Sequence, residues 1–95
     1  MYVLVRKDLP RNYQVVQACH AVAQYVLEHG DYRGWKNGIM VALRIKNEEE
    51  LKEWVDILLD ADKEFSCFAE DDLDFQLTAI ACVDDGKIFS GMKLL

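Results

Sequence analysis

Apolar residues recur at helical spacing through residues 8–31, and this stretch dominates the hydrophobic pattern of the chain. Pro10 precedes the periodic segment and Gly30 follows it, so a spacing of about 100° per residue predicts one long amphipathic helix between them. Asp8 and Asn12 are both candidates for its N-cap. The side predicted to face the core, because its members share one apolar stripe, comprises Val15, Val16, Cys19, Val22, Ala23, Val26 and Leu27.

A second row of the same helix is polar. Tyr13, Gln17, His20 and Gln24 follow one another at positions i, i+4, i+7 and i+11 along the flank of the apolar stripe. Lys, Glu and Arg are the usual residues of a solvated helix edge, whereas this row holds two amides, a phenol and an imidazole. The row is therefore a candidate functional site.

The rest of the chain alternates between β-type and helical patterns. Asn47 opens a predicted second helix as its cap, and Glu50 stands at the capping-box position. Its expected core face comprises Leu51, Trp54, Val55, Leu58 and Leu59. Branched and aromatic runs predict four strands, at residues 2–5, 39–45, 65–69 and 77–83.

The element order β-α-β-α-β-β predicts one α/β domain over residues 1–95, built as three layers. We expect a mixed four-stranded sheet with the helices packed on it, joined by right-handed crossovers. With 52% hydrophobic residues, the chain has enough apolar material for a core without a disulfide or a metal.

No apolar run has the length of a membrane span, and the opening segment is too short for a signal peptide. Cys19, Cys67 and Cys82 are odd in number and widely separated. We therefore expect buried thiols and a cytoplasmic location, not a disulfide framework or a zinc site.

The net charge of −6 argues against a nucleic-acid partner for the chain as a whole. The charge is unevenly distributed, however. Residues 1–46 hold seven basic and three acidic residues, and residues 47–95 hold four basic and fourteen acidic ones. The basic excess therefore accompanies the polar row of the first helix, although the acidic excess elsewhere has an equally good explanation as solubility charge.

Ligands of open α/β sheets bind beyond the carboxyl ends of strands. The first strand leads there into Arg6, Lys7 and Asp8, and the third leads into the acidic segment Glu70–Asp72. His20 is the candidate general base, which a neighbouring carboxylate would orient. A structural hydrogen-bonding role for His20 remains open, as do a solvated loop or a divalent-cation site for the acidic segment.

Two motifs in particular carry a family resemblance. Arg6-x-Asp8-Leu9 and Gln17-Ala18-Cys19-His20-Ala21 resemble the type-2 peptidyl-tRNA hydrolase family of archaea and eukaryotes, with further matches at Asn47–Leu51, Thr78–Ala81 and Lys93–Leu95. A short bacterial and phage branch is still more similar. Its segments D-L-x-x-x-Y-Q-x-V-Q-A-x-H-A and E-P-D-L…L-T-A-I-A correspond to Asp8–Ala21 and Glu70–Ala81.

The resemblance implies hydrolysis of the ester that joins a peptidyl or N-blocked aminoacyl group to the 3′ end of tRNA, without a metal or organic cofactor. It implies that His20, oriented by Asp72 or by another carboxylate of Glu70–Asp72, activates water. Arg33 and Lys36 are further candidates for contact with the tRNA acceptor end. The implied substrate-binding residues are Arg6, Lys7, Asp8, Arg11, Tyr13, Gln17 and Thr78.

The chain departs from the longer family members before the first helix. They carry a glycine-lysine loop there, whereas Tyr13 occupies the matching position in this shorter turn, so Lys7 or Arg11 is the expected substitute cation. Tyr32 or Trp35 is expected either to stack on the terminal adenine or to pack in the fold. The alternative function is a non-catalytic tRNA- or protein-binding module. A homodimer that pairs through an exposed last strand is a separate candidate arrangement.

Overall fold

A computed structural model describes residues 1–30 and 34–95, so the expectations for Tyr32 and Arg33 lie outside the described residues. Two short 3-10 turns, at Asp71–Leu73 and Lys87–Phe89, flank the last strand. The regular elements are β1 (Tyr2–Arg6), α1 (Arg11–His29), β2 (Val41–Ile45), α2 (Glu48–Asp60), β3 (Phe65–Glu70) and β4 (Gln76–Cys82).

The four strands form one mixed sheet in the order β2-β1-β4-β3. β1 is parallel to β2, and β4 is antiparallel to both of its neighbours, β1 and β3. β3 therefore runs in the same direction as β1, and the carboxyl ends of β1, β2 and β3 meet at one edge of the sheet. The predicted α/β class and mixed four-stranded sheet are confirmed.

The core is divided between the two faces of the sheet. One buried cluster lies on the α1 side and comprises Met1, Val3, Val5, Ala21, Tyr25, Ala79 and Ala81. The other lies on the α2 side and comprises Leu4, Leu43, Ile45, Leu51, Leu58, Ile80, Cys82 and Phe89. Residues of β1 alternate between the two clusters, as the pleat of a strand requires.

Most of the predicted core face of α1 is wrong, although Val22 does pack against the α1-side cluster. Gln17, Ala21 and Tyr25 are the buried residues of this helix, whereas Leu27 is 81% exposed and Val15 59% exposed. α1 packs mainly over β3 and β4, and the small Ala21 side chain lets the helix approach while its longer neighbours fill the space on either side. Despite the exposed valines, no helix among the described residues is long and apolar enough to cross a membrane.

The turn before α1 is also built differently from the expectation. Neither Asp8 nor Asn12 caps the helix, because Pro10 occupies the N-cap position and no side chain bonds to the first turn from it. The Gln14 side-chain amide instead donates to two backbone carbonyls of the preceding turn, at 2.7 and 3.1 Å. These bonds fix the path of the chain from β1 into α1.

The remaining helix ends follow the sequence closely. Gly30 ends α1 with a φ of 61°, and the side chain of Asn47 accepts the Glu50 N–H at 3.0 Å. The carboxylate of Glu50 in turn accepts the backbone N–H of Lys46 at 3.0 Å. Within α2 the one misplaced core residue is Leu59, which is exposed.

The chain after residue 92 lies along the outer edge of β2. The N–H of Arg44 donates to the carbonyl oxygen of Lys93 at 2.9 Å, and the N–H of Leu95 donates to that of Ala42 at 3.0 Å. Leu43 and Leu94 form an isolated antiparallel bridge at the same place. The segment shields part of an edge that would otherwise present unpaired backbone groups.

The expectation of three buried thiols holds for Cys82 and is wrong for Cys19, which is exposed. Cys19 belongs to the apolar stripe of α1, which borders an open cavity over Val3 and Ala42 instead of packing on the sheet. The two errors therefore have one cause. Cys67 is intermediate, and burial, followed by the charge of Glu28, raises its pKa to about 11.

Candidate functional site

A β-bulge on β4 turns Thr78 toward α1. Phe68 pairs with Ala79 and Ala69 pairs with Leu77, so Thr78 has no partner across the ladder. Strict alternation would place Thr78 on the α2 side together with Ile80. The extra residue instead brings its side chain to the α1 side, as bulges beside functional sites do.

A buried polar chain begins at this bulge. The Thr78 hydroxyl donates to Gln17 Oε1 at 2.6 Å, and the carbonyl oxygen of Phe68 lies 3.3 Å from the same hydroxyl. Gln17 Nε2 then donates to Glu70 Oε1 at 2.8 Å. Because Gln17 is only 1% exposed, its amide is fully committed to linking β4 with the end of β3.

The Gln17 bond has an electrostatic consequence for Glu70. It is the largest of the effects that hold the pKa of Glu70 below its ordinary value. A carboxylate that accepts an amide N–H is stabilised in its ionised form. Glu70 therefore remains a fixed negative group at the carboxyl end of β3.

An open cavity of about 220 Å³ lies beside this chain, between α1 and the end of β3. Its walls come from the first two turns of α1 and from the acidic segment. The lining residues are Asn12, Tyr13, Val16, Gln17, Glu70 and Asp72. The structure thus brings together four residues that the sequence had proposed, Tyr13, Gln17, Thr78 and Asp72, with Thr78 behind the wall.

His20 lies one turn beyond Gln17 in the same row of α1, and it is not among the residues that line the cavity. The residue is exposed, and its ring stacks on that of Phe68 with the centroids 4.3 Å apart and the planes 9° from parallel. No carboxylate of the described residues lies within ion-pair distance of His20. Phe68, and not the expected Asp72, is thus the side chain that orients the imidazole.

Arg6 and Asp8, both expected to bind substrate, form a clamp with each other on the α2 side. Arg6 donates to both carboxylate oxygens of Asp8, at 3.0 and 2.9 Å. It also donates to Gln76 Oε1 and to the carbonyl of Leu77, each at 3.0 Å. With a guanidinium so fully engaged and 6% residue exposure, Arg6 ties β1 to β4 and is not free to hold a phosphate.

The same bidentate contact governs the titration of the pair. The hydrogen bond from Arg6 is the largest cause that lowers the pKa of Asp8, and the hydrogen bond to Asp8 is the largest cause that raises the pKa of Arg6. Each group therefore stabilises the charged form of the other.

The basic residues that the sequence predicted at the site do not line this cavity. Lys7 lines a different cavity, near α2, and Arg11 lines a third beside Leu95. Neither therefore stands in the cavity wall as the substitute for the family's lysine. The walls of the 220 Å³ cavity contain no Lys or Arg from the part of the chain that is described.

Trp35 and Lys36 are the last of the described residues that the sequence predicted to contact the substrate. The indole N–H of Trp35 donates to the carbonyl oxygen of Ile39 at 2.9 Å, and the ring packs against the α1-side core. This favours the packing role over stacking on an adenine. Lys36 is exposed at the opposite edge of the sheet, before β2.

Carboxylate oxygens of Glu70, Asp71 and Asp72 lie within 4.8 Å of one another. Hard divalent cations prefer such oxygen ligands, but solvated acidic turns share the same geometry. The sequence had left open which of the three would serve the site. Glu70 is tied to Gln17 and Asp72 lines the cavity, so these two are the carboxylates that a bound substrate would meet.

Sequence reasoning missed Asn12, Val16 and Phe68. Asn12 and Val16 flank members of the polar row, so a wider row on the same helix would have included them. No signal in the sequence indicates the stacking of Phe68 on His20, because it depends on the placement of β3 under α1. The sequence likewise gives no signal for the bulge at Thr78, because this residue lies within a continuous apolar run.

A comparison with models of known protein families finds no match to this chain. A search among curated proteins likewise finds no relative.

Proposed function

We propose that the chain hydrolyses the ester between a peptidyl or N-blocked aminoacyl group and the 3′ end of tRNA. The observation that supports this most directly is the bulge at Thr78 and the chain it starts through Gln17 to Glu70. A bulge, a buried glutamine and a held carboxylate beside an open cavity are costly features for a purely structural purpose. They join residues that the sequence resemblance had named independently.

In this proposal water attacks the ester carbonyl carbon while His20 accepts one of its protons. The tetrahedral intermediate then collapses, the bond to the ribose 3′ oxygen breaks, and the imidazolium returns the proton to that oxygen. The products are a free carboxylic acid and tRNA with a 3′ hydroxyl. Asp72 accepts a hydrogen bond from the other O–H of the attacking water, which keeps that proton, and so holds the water beside His20.

In the family that the sequence resembles, the longer members carry a lysine at the position of Tyr13. Its side chain lines the cavity together with Gln17, and a phenol O–H can donate to the oxygen on which negative charge develops. A preorganised donor of this kind contributes about 10²–10³-fold to turnover. We therefore propose that the Tyr13 hydroxyl stabilises the intermediate in place of an ammonium group.

The experiment is release of the acyl group from N-acetyl-aminoacyl-tRNA by the purified chain. Turnover that is lost in His20→Ala and in Asp72→Asn, and reduced in Tyr13→Phe, would support the proposal. Asp74→Asn is the matched control for Asp72→Asn. It removes one charge from the same acidic segment, does not alter a residue lining the cavity, and its φ of 54° is tolerated by asparagine.

The second candidate is a non-catalytic module that binds tRNA or a protein. Among the described residues no carboxylate forms an ion pair with His20, which favours this candidate, since a general base usually has such a partner. The two candidates separate in the same assay. Binding of the acylated tRNA without turnover, undiminished by His20→Ala, would support the module and reject the hydrolase.

A further inference from the structure

A second cavity, of about 260 Å³, lies on the other side of the same sheet edge, against α2. Four basic residues from three separate segments line it, together with one carboxylate and two apolar side chains. The lining residues are Lys7, Arg44, Lys46, Glu50, Trp54, Met92 and Lys93. We call this feature the basic groove.

The fold gathers these cations through backbone pairing. The N–H of Lys7 donates to the carbonyl of Ile45 at 2.8 Å, which extends the parallel β1–β2 ladder and sets Lys7 beside Lys46. The N–H of Arg44 bonds to the carbonyl of Lys93 at 2.9 Å, so the final segment carries Lys93 to the same place. Three segments that are distant in sequence thus bring their positive charges to one place.

The charges in the groove are not neutralised within the described part of the protein. Lys7, Lys46 and Lys93 take part in no ion pair there, while Lys52 and Lys63 each pair with a carboxylate. The single carboxylate of the groove, on Glu50, accepts a backbone N–H. A chain with a net charge of −6 that concentrates unpaired cations at one point bears a repulsion which an anionic partner would relieve.

We infer that the basic groove holds the phosphodiester backbone of the RNA substrate, at a distance from the ester. This inference rests on the proposed function for its choice of RNA. Lys7, Lys46 and Lys93 are exposed, and exposed lysines act as point charges that hold a single small anion weakly. A polymer with many phosphates engages several of them at once, which multiplies the affinity.

The relation of the groove to the candidate site supports the same occupant. Lys7 and Lys46 follow the carboxyl ends of β1 and β2, and Glu70 is the carboxyl end of β3. Both cavities therefore open at one edge of a molecule whose longest extent is 32 Å. One acceptor arm reaching around this edge places its 3′ end on the α1 side and its backbone on the α2 side.

The test uses an unacylated acceptor-stem hairpin with a single-stranded 3′ end, whose binding is followed by fluorescence anisotropy over about 0.05–0.3 M salt. Lys46→Ala/Lys93→Ala is compared with Lys36→Ala/Lys87→Ala. Both pairs remove two charges, and Lys36 and Lys87 lie beyond the opposite edge of the sheet. The groove pair should weaken binding at least tenfold at low salt and lower the salt slope by about 1.5, whereas the control pair should leave both nearly unchanged.

Equal effects of the two pairs, no effect of either, or no RNA binding by the parent would overturn the inference. Displacement of the RNA by micromolar inorganic pyrophosphate would also overturn it, since the groove would then be a small-anion site. Because the hairpin carries no ester, a parent without hydrolase activity leaves this result readable. Loss of binding in the groove pair alone would uphold the groove even if the proposed hydrolysis failed.

Discussion

The hydroxyl of Thr78 donates a hydrogen bond of 2.6 Å to the side-chain oxygen of Gln17, and both side chains are buried. This bond crosses from the sheet to α1, and it exists because the bulge turns Thr78 out of the β4 alternation. The orientation of the Gln17 amide toward Glu70 depends on it. The shape of one wall of the candidate site therefore depends on a hydroxyl that does not line the cavity.

We predict that Thr78→Val lowers the free energy of unfolding by about 1–3 kcal/mol, because it leaves Gln17 Oε1 buried without a donor. Turnover should fall as well, since the Gln17 amide loses its orientation. Urea unfolding and acyl release measure the two effects. In Gln17→Leu/Thr78→Val both polar partners are absent, so part of the stability should return while turnover stays low. An unchanged free energy of unfolding and unchanged turnover in Thr78→Val would contradict the role given to this bond.

We predict that Arg6→Ala lowers stability by about 2–3 kcal/mol, because it leaves Asp8 and the β4 acceptors without their donor. Arg11→Ala removes the same charge from an exposed position and should cost less than about 0.5 kcal/mol. Thermal unfolding gives the comparison. At a temperature where both variants are folded, the salt slope of RNA binding should be unchanged by Arg6→Ala. A shallower salt slope in Arg6→Ala would show that Arg6 contacts RNA phosphates and would contradict its structural role.

Thiol labelling tests which face of α1 is exposed. At pH 8 a disulfide reagent should label one thiol per native chain quickly, because Cys19 is exposed, while the raised pKa of Cys67 leaves little thiolate. Cys19→Ser should abolish the fast reaction, and denaturant should release the two remaining thiols. A native parent without a fast-reacting thiol would mean that α1 buries Cys19 and packs on the sheet by another face.

Acid should weaken the link between Lys63 and Asp84. Burial alone would raise the pKa of Asp84, but the Lys63 ammonium at 2.8 Å and the N–H of Gly86 outweigh it, so the pKa lies below its usual value. A carboxyl group whose folded pKa is lowered stabilises the fold above its unfolded pKa of about 3.9, and this contribution is lost as pH falls through the folded value.

Asp84→Asn should therefore be less stable than the parent at pH 7, and the difference should shrink as the pH falls below about 4. Urea unfolding across this range measures it. A difference that is independent of pH would show that the Asp84 charge does not contribute.

The fold could be predicted largely because its local signals agree with one another. The cap at Asn47, the stop at Gly30 and the strand patterns together give the element order that the structure has. Hydrophobic periodicity failed on α1 because its buried face is made of Gln17, Ala21 and Tyr25. Two of these have polar ends, so the more apolar stripe on the other side dominated the pattern.

The sequence predicted some of the residues at the candidate site but not their contacts. The polar row of α1 and the acidic end of β3 were visible in the sequence, and the parallel direction of β1 and β3 brought them to one edge. The bulge at Thr78 and the stacking of His20 on Phe68 arise from strand register and helix placement, which the sequence pattern does not encode. The same is true of Lys7, which lines the cavity on the α2 side together with cations from two other segments.

The most direct test of the account is the rate of acyl release from N-acetyl-aminoacyl-tRNA by the parent chain, His20→Ala, Asp72→Asn and Asp74→Asn. We predict turnover by the parent and by Asp74→Asn, and its loss in the other two with the fold intact. No release by the parent, or equal release by all four, would contradict the assignment of hydrolysis to the cavity beside Gln17.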